Sequence, residues 1–316
     1  MDRGRKADRP GQGGSAGGVS MKQKDKIWGN KMLIPLQEND FDQYIDFVYE
    51  LALDPARSVY PAYFDGVKTK ADFIVAARKG FSRPGEEILL YLEDGRVEGW
   101  IHYYDWAGDR YLGFRACCIR RNTAKALDEL QAYLTARYSD YDLTMGFPAA
   151  NREAVDWLER SGFSVLDDLN DYHLLFSQYT PEPDDPGVER ITEENFEKFQ
   201  RIYQTMDADM YWNCRRLREN LSEWDIFVAE EDGIAGEITA THEPDGGYEI
   251  FSLFCEGGQF HAGLFHRLLK RVLNEGKRTG ASHLYFFIGY RDEENRIMPG
   301  LGFHLVGHYL SYRKRI

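Results

Sequence analysis

Little in this sequence would anchor it to a membrane, staple it with disulfides or hold it against a polyanion. No stretch of the 316 residues approaches the roughly 18–20 consecutive apolar residues of a membrane helix, and the polar start MDRGRKADRPGQGGSAGG lacks the apolar centre of a secretory signal. The four cysteines, Cys117, Cys118, Cys214 and Cys255, are two neighbours and two singles, which makes neither a disulfide framework nor a CxxC zinc pattern. They read as free, mostly buried thiols. Basic residues are outnumbered, 39 Lys and Arg against 52 Asp and Glu, for a net charge of −13. Phosphate backbones repel such a chain unless it carries a local basic pocket. The expectation is a cytoplasmic protein with no nucleic-acid or membrane partner and no bound metal.

What is present is ordinary globular material, 43% apolar and 14% aromatic, long enough for two domains. Residues 1–30 carry almost no large apolar group before Trp28 and are expected to be a disordered tail. A second break is SQYTPEPDDPG, residues 177–187, where prolines, acids and a glycine interrupt any periodic pattern. We place a linker at 179–187, between domains at 31–178 and 188–316.

The two halves repeat three landmarks in the same order. The first is a hairpin, EEILLYLEDGRVEGWIHYYDW and DIFVAEEDGIAGEITATHE, each with an Asp-Gly turn (Asp94-Gly95, Asp232-Gly233) and a later glycine, Gly99 or Gly236. The second is a strand followed by an amphipathic helix, with Leu127, Leu130 and Leu134, or Leu264, Leu268 and Val272, at helical spacing. The third is a strand and short helix ending in Gly-Phe. Gly95 and Gly233 lie 138 positions apart, Gly162 and Gly302 lie 140 apart, and unrelated halves would not agree so closely. Helical regions precede each hairpin, so each half reads strand, two helices, three strands, helix, strand, helix, strand. That order predicts an α/β fold of mixed α+β character: two tandem units, each a mixed, mostly antiparallel sheet with helices on both faces.

These landmarks resemble the GNAT superfamily of acyl-CoA-dependent N-acetyltransferases, present twice. The resemblance rests on the DG-x-x-x-G and DG-x-x-G hairpins, the strand before a helix start, the run N-x-x-A-x-x-W-L-E-R-S-G-F from Asn151 to Phe163, and its looser counterpart from Asn295 to Phe303. It covers nearly all of 31–316. It implies that in each unit the fourth strand splays from the fifth, admitting pantetheine like a missing strand, and that the next loop cradles the pyrophosphate. A helix start offers unpaired N–H donors and partial positive charge for that purpose. The C-terminal candidate is the stretch from Gly257 to Phe265, in which Gly263 fits the central glycine and His261 and Phe265 stand where small residues are usual. Its bland alternative is a polar loop capping a packed helix. The expected acetyl-CoA contacts are Phe254, Cys255, Gly257, Gly258, Gln259, His261, Ala262, Gly263, Leu264 and Asn295. The N-terminal counterpart, Arg120 to Lys125, has no glycine, and that half is expected to be the degenerate copy.

Acetyl transfer to an amine needs a proton acceptor for the amine and a proton for the departing thiolate. Of the carboxylates Glu237, Glu249 and Glu256, the last two bracket the strand that would line the thioester and rank first. The family's usual tyrosine position holds Met298 here and Leu158 in the other half, so Tyr290 and Tyr309 are the substitutes. His261 and His266 are five apart, off one helical face, and suggest no metal pair. Tyr211, Trp212, Trp224 and Phe227 fall near the helices that would line an acceptor site. The leading expectation is an enzyme, monomer or homodimer, transferring acetyl from acetyl-CoA to a primary amine of a small molecule or peptide. A catalytically inactive tandem protein that binds acyl-CoA or another small ligand as a sensor or interaction module is the alternative. Transfer of an aminoacyl or longer acyl group is a third possibility with no specific marker.

Overall fold

The computed structural model describes residues 32–59, 63–205, 210, 212–243, 246–290 and 292–316. Residues 1–30 and Tyr211 lie outside that set.

Both Asp-Gly pairs put two consecutive residues at positive φ, Asp94 49° with Gly95 73° and Asp232 53° with Gly233 79°. That geometry matches the twist of the flanking strands and closes tight hairpins. The strands so joined are β2 (Glu86–Glu93) with β3 (Arg96–Trp106), and β8 (Trp224–Glu231) with β9 (Ile234–His242). Around the first hairpin lie β1 (Leu33–Pro35), α1 (Ile45–Ala52), α2 (Lys70–Lys79), β4 (Tyr111–Ile119), α3 (Thr123–Thr135), β5 (Asp142–Pro148), α4 (Arg152–Arg160) and β6 (Ser164–Leu175). Around the second lie β7 (Val188–Arg190), α5 (Phe196–Tyr203), α6 (Cys214–Glu219), β10 (Gly247–Cys255), α7 (Ala262–Thr279), β11 (His283–Gly289) and β12 (His304–Arg315). The short helix expected before the second Gly-Phe is instead a pair of 3₁₀ turns, Glu293–Arg296 and Pro299–Leu301. Pro299 has no N–H to donate and Gly300 has the freedom to leave the helical basin, so an α-helix does not propagate there.

Alternation along the strands buries both faces. Ile88, Leu90 and Leu92 pack against α1 and α2, while Leu89 and Tyr91 pack with α3 and α4. In the second half Ile226 and Val228 join the α5–α6 cluster, and Phe227 and Ala229 face α7. Leu127, Leu130 and Leu134 of α3, and Leu264, Leu268 and Val272 of α7, are all at most 1% exposed. Each contributes on the order of 1.5–3 kcal/mol of burial. No helix among the described residues is long and apolar enough to cross a membrane.

The halves do not keep separate sheets. The described strands form one twelve-stranded sheet in the order β1-β2-β3-β4-β5-β12-β6-β11-β10-β9-β8-β7. Each half gives its last strand to the other: β12 pairs antiparallel with β5 from Tyr309↔Pro148 to Arg315↔Asp142, and β6 pairs antiparallel with β11 from His283↔Leu175 to Gly289↔Leu169. The exchanged strands also pair with each other, His304 opposite His173. The linker does not span open space. Tyr179 donates to Asn274 (2.8 Å), Asn274 donates to the Glu182 carbonyl (2.7 Å) and Arg267 donates to Asp185 (2.6 Å), strapping it along α7.

Candidate active site

In both halves the parallel pair at the centre of the unit comes apart. Pairing of β4 with β5 is confined to Tyr111↔Asp142 and Leu112↔Leu143, and β10 leaves β11 after Ile250↔Phe286. A bulge lies beyond the last parallel pair, on the other edge, at Arg115 in β4 and at Phe251 in β10. A bulge increases local twist, which turns the strand away from its parallel neighbour while it stays bonded to the hairpin.

In the C-terminal half the divergence opens a cleft of about 1030 Å³. Ser252 to Cys255 and Phe287 to Gly289 form its walls, and Gly258, Gln259 and Phe260 stand at one end. Ser252 to Cys255 bond β9 on one side. Their other edge has left β11, so it offers main-chain groups to whatever enters. Gly257 (φ 80°) and Gly258 (φ 69°) turn the chain from β10 toward α7, and a Cβ at either would meet nothing within 4 Å. Their surroundings are open. From Cys255 back to Phe251 the strand runs about 13 Å at ~3.3 Å per residue.

His261 caps α7, its Nδ1 accepting the Leu264 N–H at 3.2 Å. No acid stands in the first turn of the helix. Gly263, the expected centre of the cradle, faces the β8–β9 hairpin: a Cβ there would lie 2.9 Å from the Glu231 carboxylate. That carboxylate sits 3.7 Å from Arg267 and 3.9 Å from His261. The open part of the loop is thus Gly257–Gly258. Leu264 is wholly buried in the core, and Ala262 is exposed at the helix start. Asn295 does not line the cleft; it accepts from Asn170 (2.8 Å) and donates to the Gly289 and Asp292 carbonyls (2.8 and 2.7 Å), bracing the chain after β11. Phe254 and Cys255 do line it, and burial, reinforced by Glu237, pushes the Cys255 thiol up to about 12.

The four catalytic candidates separate. Glu249 lines the cleft where β10 and β11 are still paired, opposite Tyr285. Burial, with help from Glu243, raises its carboxyl to about 7, and Lys68 opposes the rise. Tyr309 also lines the cleft, its ring 5.6 Å from that of Phe287, and burial raises its phenol well above the usual value. Glu256 stands outside, exposed and 3.9 Å from Arg201. Tyr290 is exposed and stacked on His308 at 4.1 Å. Trp224 and Phe227 are core, and Trp212 packs on Trp224 at 5.1 Å. Glu237, set behind the favoured pair in the sequence reading, is wholly buried beneath Ser252; burial raises it to about 8 although Thr239 (2.9 Å) and Ser252 (3.3 Å) donate to it. Among the described residues no cluster of three metal-ligating side chains forms.

Sequence reasoning missed the contribution of the N-terminal half to this cleft. Asp65, Lys68, Asp167 and His173 all line it, the last two on the exchanged strand β6. The available signal was the length of β6 and β12, twelve residues each, longer than any other strand among the described residues.

No protein-family model matches the chain, and no curated protein matches its sequence. Solved structures do match. A GCN5-related N-acetyltransferase from Sphaerobacter thermophilus aligns with a TM-score of 0.60 at 15% identity, over 90% of this chain and 95% of that one. A GCN5-related N-acetyltransferase from Kribbella flavida gives 0.51 at 14% identity, over 77% and 95%. The glucosamine N-acetyltransferase region of a fungal multi-domain β-N-acetylglucosaminidase gives 0.54 at 12%, over 89% of this chain and 38% of that one. The fold is that of the GCN5-related N-acetyltransferases, repeated in tandem.

Proposed function

We propose that this chain is an N-acyltransferase whose C-terminal half moves an acetyl group from acetyl-CoA to a primary amine of a small molecule or peptide. The observation that carries the reading is the cleft where β10 leaves β11, which joins an unpaired strand edge to an open glycine turn at the start of a long helix. The residues fit the co-substrate. The free edge of β10 can pair with an extended amide-bearing arm as an added strand would, and Gly257–Gly258 leave their amides approachable by a diphosphate. The co-substrate supplies an activated acyl carbon and a thiolate leaving group.

The protein's own residues supply the rest. Glu249, raised to about 7, is poised to take the proton of an ammonium group near neutral pH. Tyr309 stays protonated, but its hydroxyl lies against Gly146 on β5, so the thiolate is left to take the second proton of the amine. Asp65, Asp167, Glu249, Asp292, Glu293 and Glu294 line the cleft with Lys68 as the basic residue, which favours a positively charged acceptor. The test is calorimetric titration with acetyl-CoA followed by turnover on a panel of amines. Saturable binding to the native chain and its loss in Gly258→Trp support the reading; no heat at millimolar acetyl-CoA overturns it. Met298 and Leu158, both wholly buried and neither able to give a proton, stand at the family's usual place for the acid. That observation favours the inactive binding module, and binding without turnover on every amine would select it.

A further inference from the structure

The wall that the N-terminal half contributes to the cleft carries an amine of its own. Lys68 lines the cleft with its ammonium 5.9 Å from the centre of the Tyr285 ring. Tyr285 is the register partner of Glu249, and the charge of Lys68 acts on that carboxyl. The backbone that delivers the side chain is fixed on both sides. Before it, buried Asp65 accepts the N–H groups of Val67 (2.8 Å) and Lys68 (3.1 Å). After it, α2 begins with a reciprocal cap in which Thr69 donates to Asp72 (2.7 Å) and Asp72 donates back (3.3 Å). Lys70, two residues on, points elsewhere and pairs with Asp46 on α1. A loop held this tightly fixes where one primary amine enters the cleft, on the Tyr285 side of the carboxyl to which we assign proton transfer.

We infer that Lys68 is an acyl acceptor in cis: the N-terminal half presents this side chain to the cleft of the C-terminal half, and the chain acylates itself there from an acyl-coenzyme A thioester. The inference rests on the acyltransferase reading above. The Lys68 ammonium gives one proton to Glu249, which passes it to solvent. The nitrogen lone pair then forms the amide bond as the carbon–sulfur bond breaks, and the second proton leaves with the thiolate as free coenzyme A thiol. The product is a neutral amide in place of the cation, so the cleft loses its basic residue and becomes more acidic.

The experiment incubates the full-length chain with acetyl-CoA and reads intact mass and peptide mapping. The expected result is one acetyl group per chain, on Lys68, absent in Lys68→Arg and about 10²-fold slower in Glu249→Gln. Acetyl-CoA binding with Lys68 unmodified overturns the inference and leaves the acyltransferase reading standing. So does acetylation spread over Lys68, Lys70 and Lys198 at rates that Glu249→Gln does not change. Absence of any binding removes both. A second readout needs no co-substrate. Of the titratable and charged groups around it, Glu243 and Lys68 act on Glu249, Tyr285 is its register partner on β11, and His283, His173 and Asp65 line the same cleft. In Lys68→Gln its carboxyl, followed by NMR, should titrate above its value in the native chain, whereas Lys68→Arg should leave it near about 7. An unchanged titration in Lys68→Gln would place the ammonium away from Glu249 and overturn the inference.

Discussion

The two halves share a backbone plan and fill it oppositely. With the bulged residues Arg115 and Phe251 superposed, Gly113 falls on Glu249, and the Tyr104 ring covers that glycine, its hydroxyl 2.5 Å from where a Cβ would be. Trp100, wholly buried, stands opposite Cys118 as Glu237 stands opposite Phe254. Asn122, left-handed at φ 56°, takes the place of Gly258 at 69°. At the α3 start the Ala124 N–H donates to Glu153 (3.1 Å), Arg121 donates to Glu98 (2.6 Å) and Lys125 to Glu93 (3.2 Å). The Arg120 guanidinium lies on Phe47 at 4.1 Å. The Ala124 amide and the three cations that could have met a phosphate are engaged from within. One copy spends its polar groups on its own fold, and the other leaves them in a cleft.

That contrast can be broken most sharply at Glu249. If only the C-terminal half has a proton acceptor, Glu249→Gln lowers kcat/KM by about 10²–10⁴-fold while acetyl-CoA affinity by calorimetry stays unchanged. A residual rate within a few-fold of native would show that the other half works. The next effect is on stability. Glu237 is raised to about 8 from an ordinary 4.5, so between those values the folded state keeps a proton that the unfolded chain has released. Stability is therefore expected to fall as pH rises through that window and to level off above about 8, by on the order of a few kcal/mol. Urea melts of Glu237→Gln should show a flatter profile, with a smaller slope remaining from Glu249. His261→Ala, which removes the α7 cap, should cost about 1 kcal/mol in the same melts. Last, Glu153→Ala frees the α3 start but leaves Arg121 and Lys125 paired, so calorimetry should still find one acetyl-CoA per chain.

The elements within each half were legible because local chemistry fixes them. Asp-Gly turns demand positive φ, Leu127, Leu130 and Leu134 keep helical spacing, and the glycine turn after β10 stands out in a chain of strands and helices. The site was half legible. Glu249, Tyr309, Phe254, Cys255, Gly258 and Gln259 line the cleft, but Gly263 turns toward Glu231, and Asn295, Glu256 and Tyr290 lie outside it. Those orientations depend on register and on the bulge at Phe251, which no spacing reveals. Nor could spacing reveal that Lys68 and His173 reach the cleft from the other half. Strand pairing between residues more than a hundred positions apart, as in β12 with β5 and β6 with β11, leaves no mark in local spacing.

The exchange of β6 and β12 fixes what the linker must do. The strand beside β5 or β11 comes from the other copy, so separated copies would complete this sheet only by meeting, at a rate set by dilution. Joining the copies turns that encounter into a first-order closure at an effective concentration set by the tether, in the millimolar range for short connections. Cutting the chain between Tyr179 and Gly187 would return the assembly to mass action, with every residue still present and the sheet complete only when the fragments are concentrated.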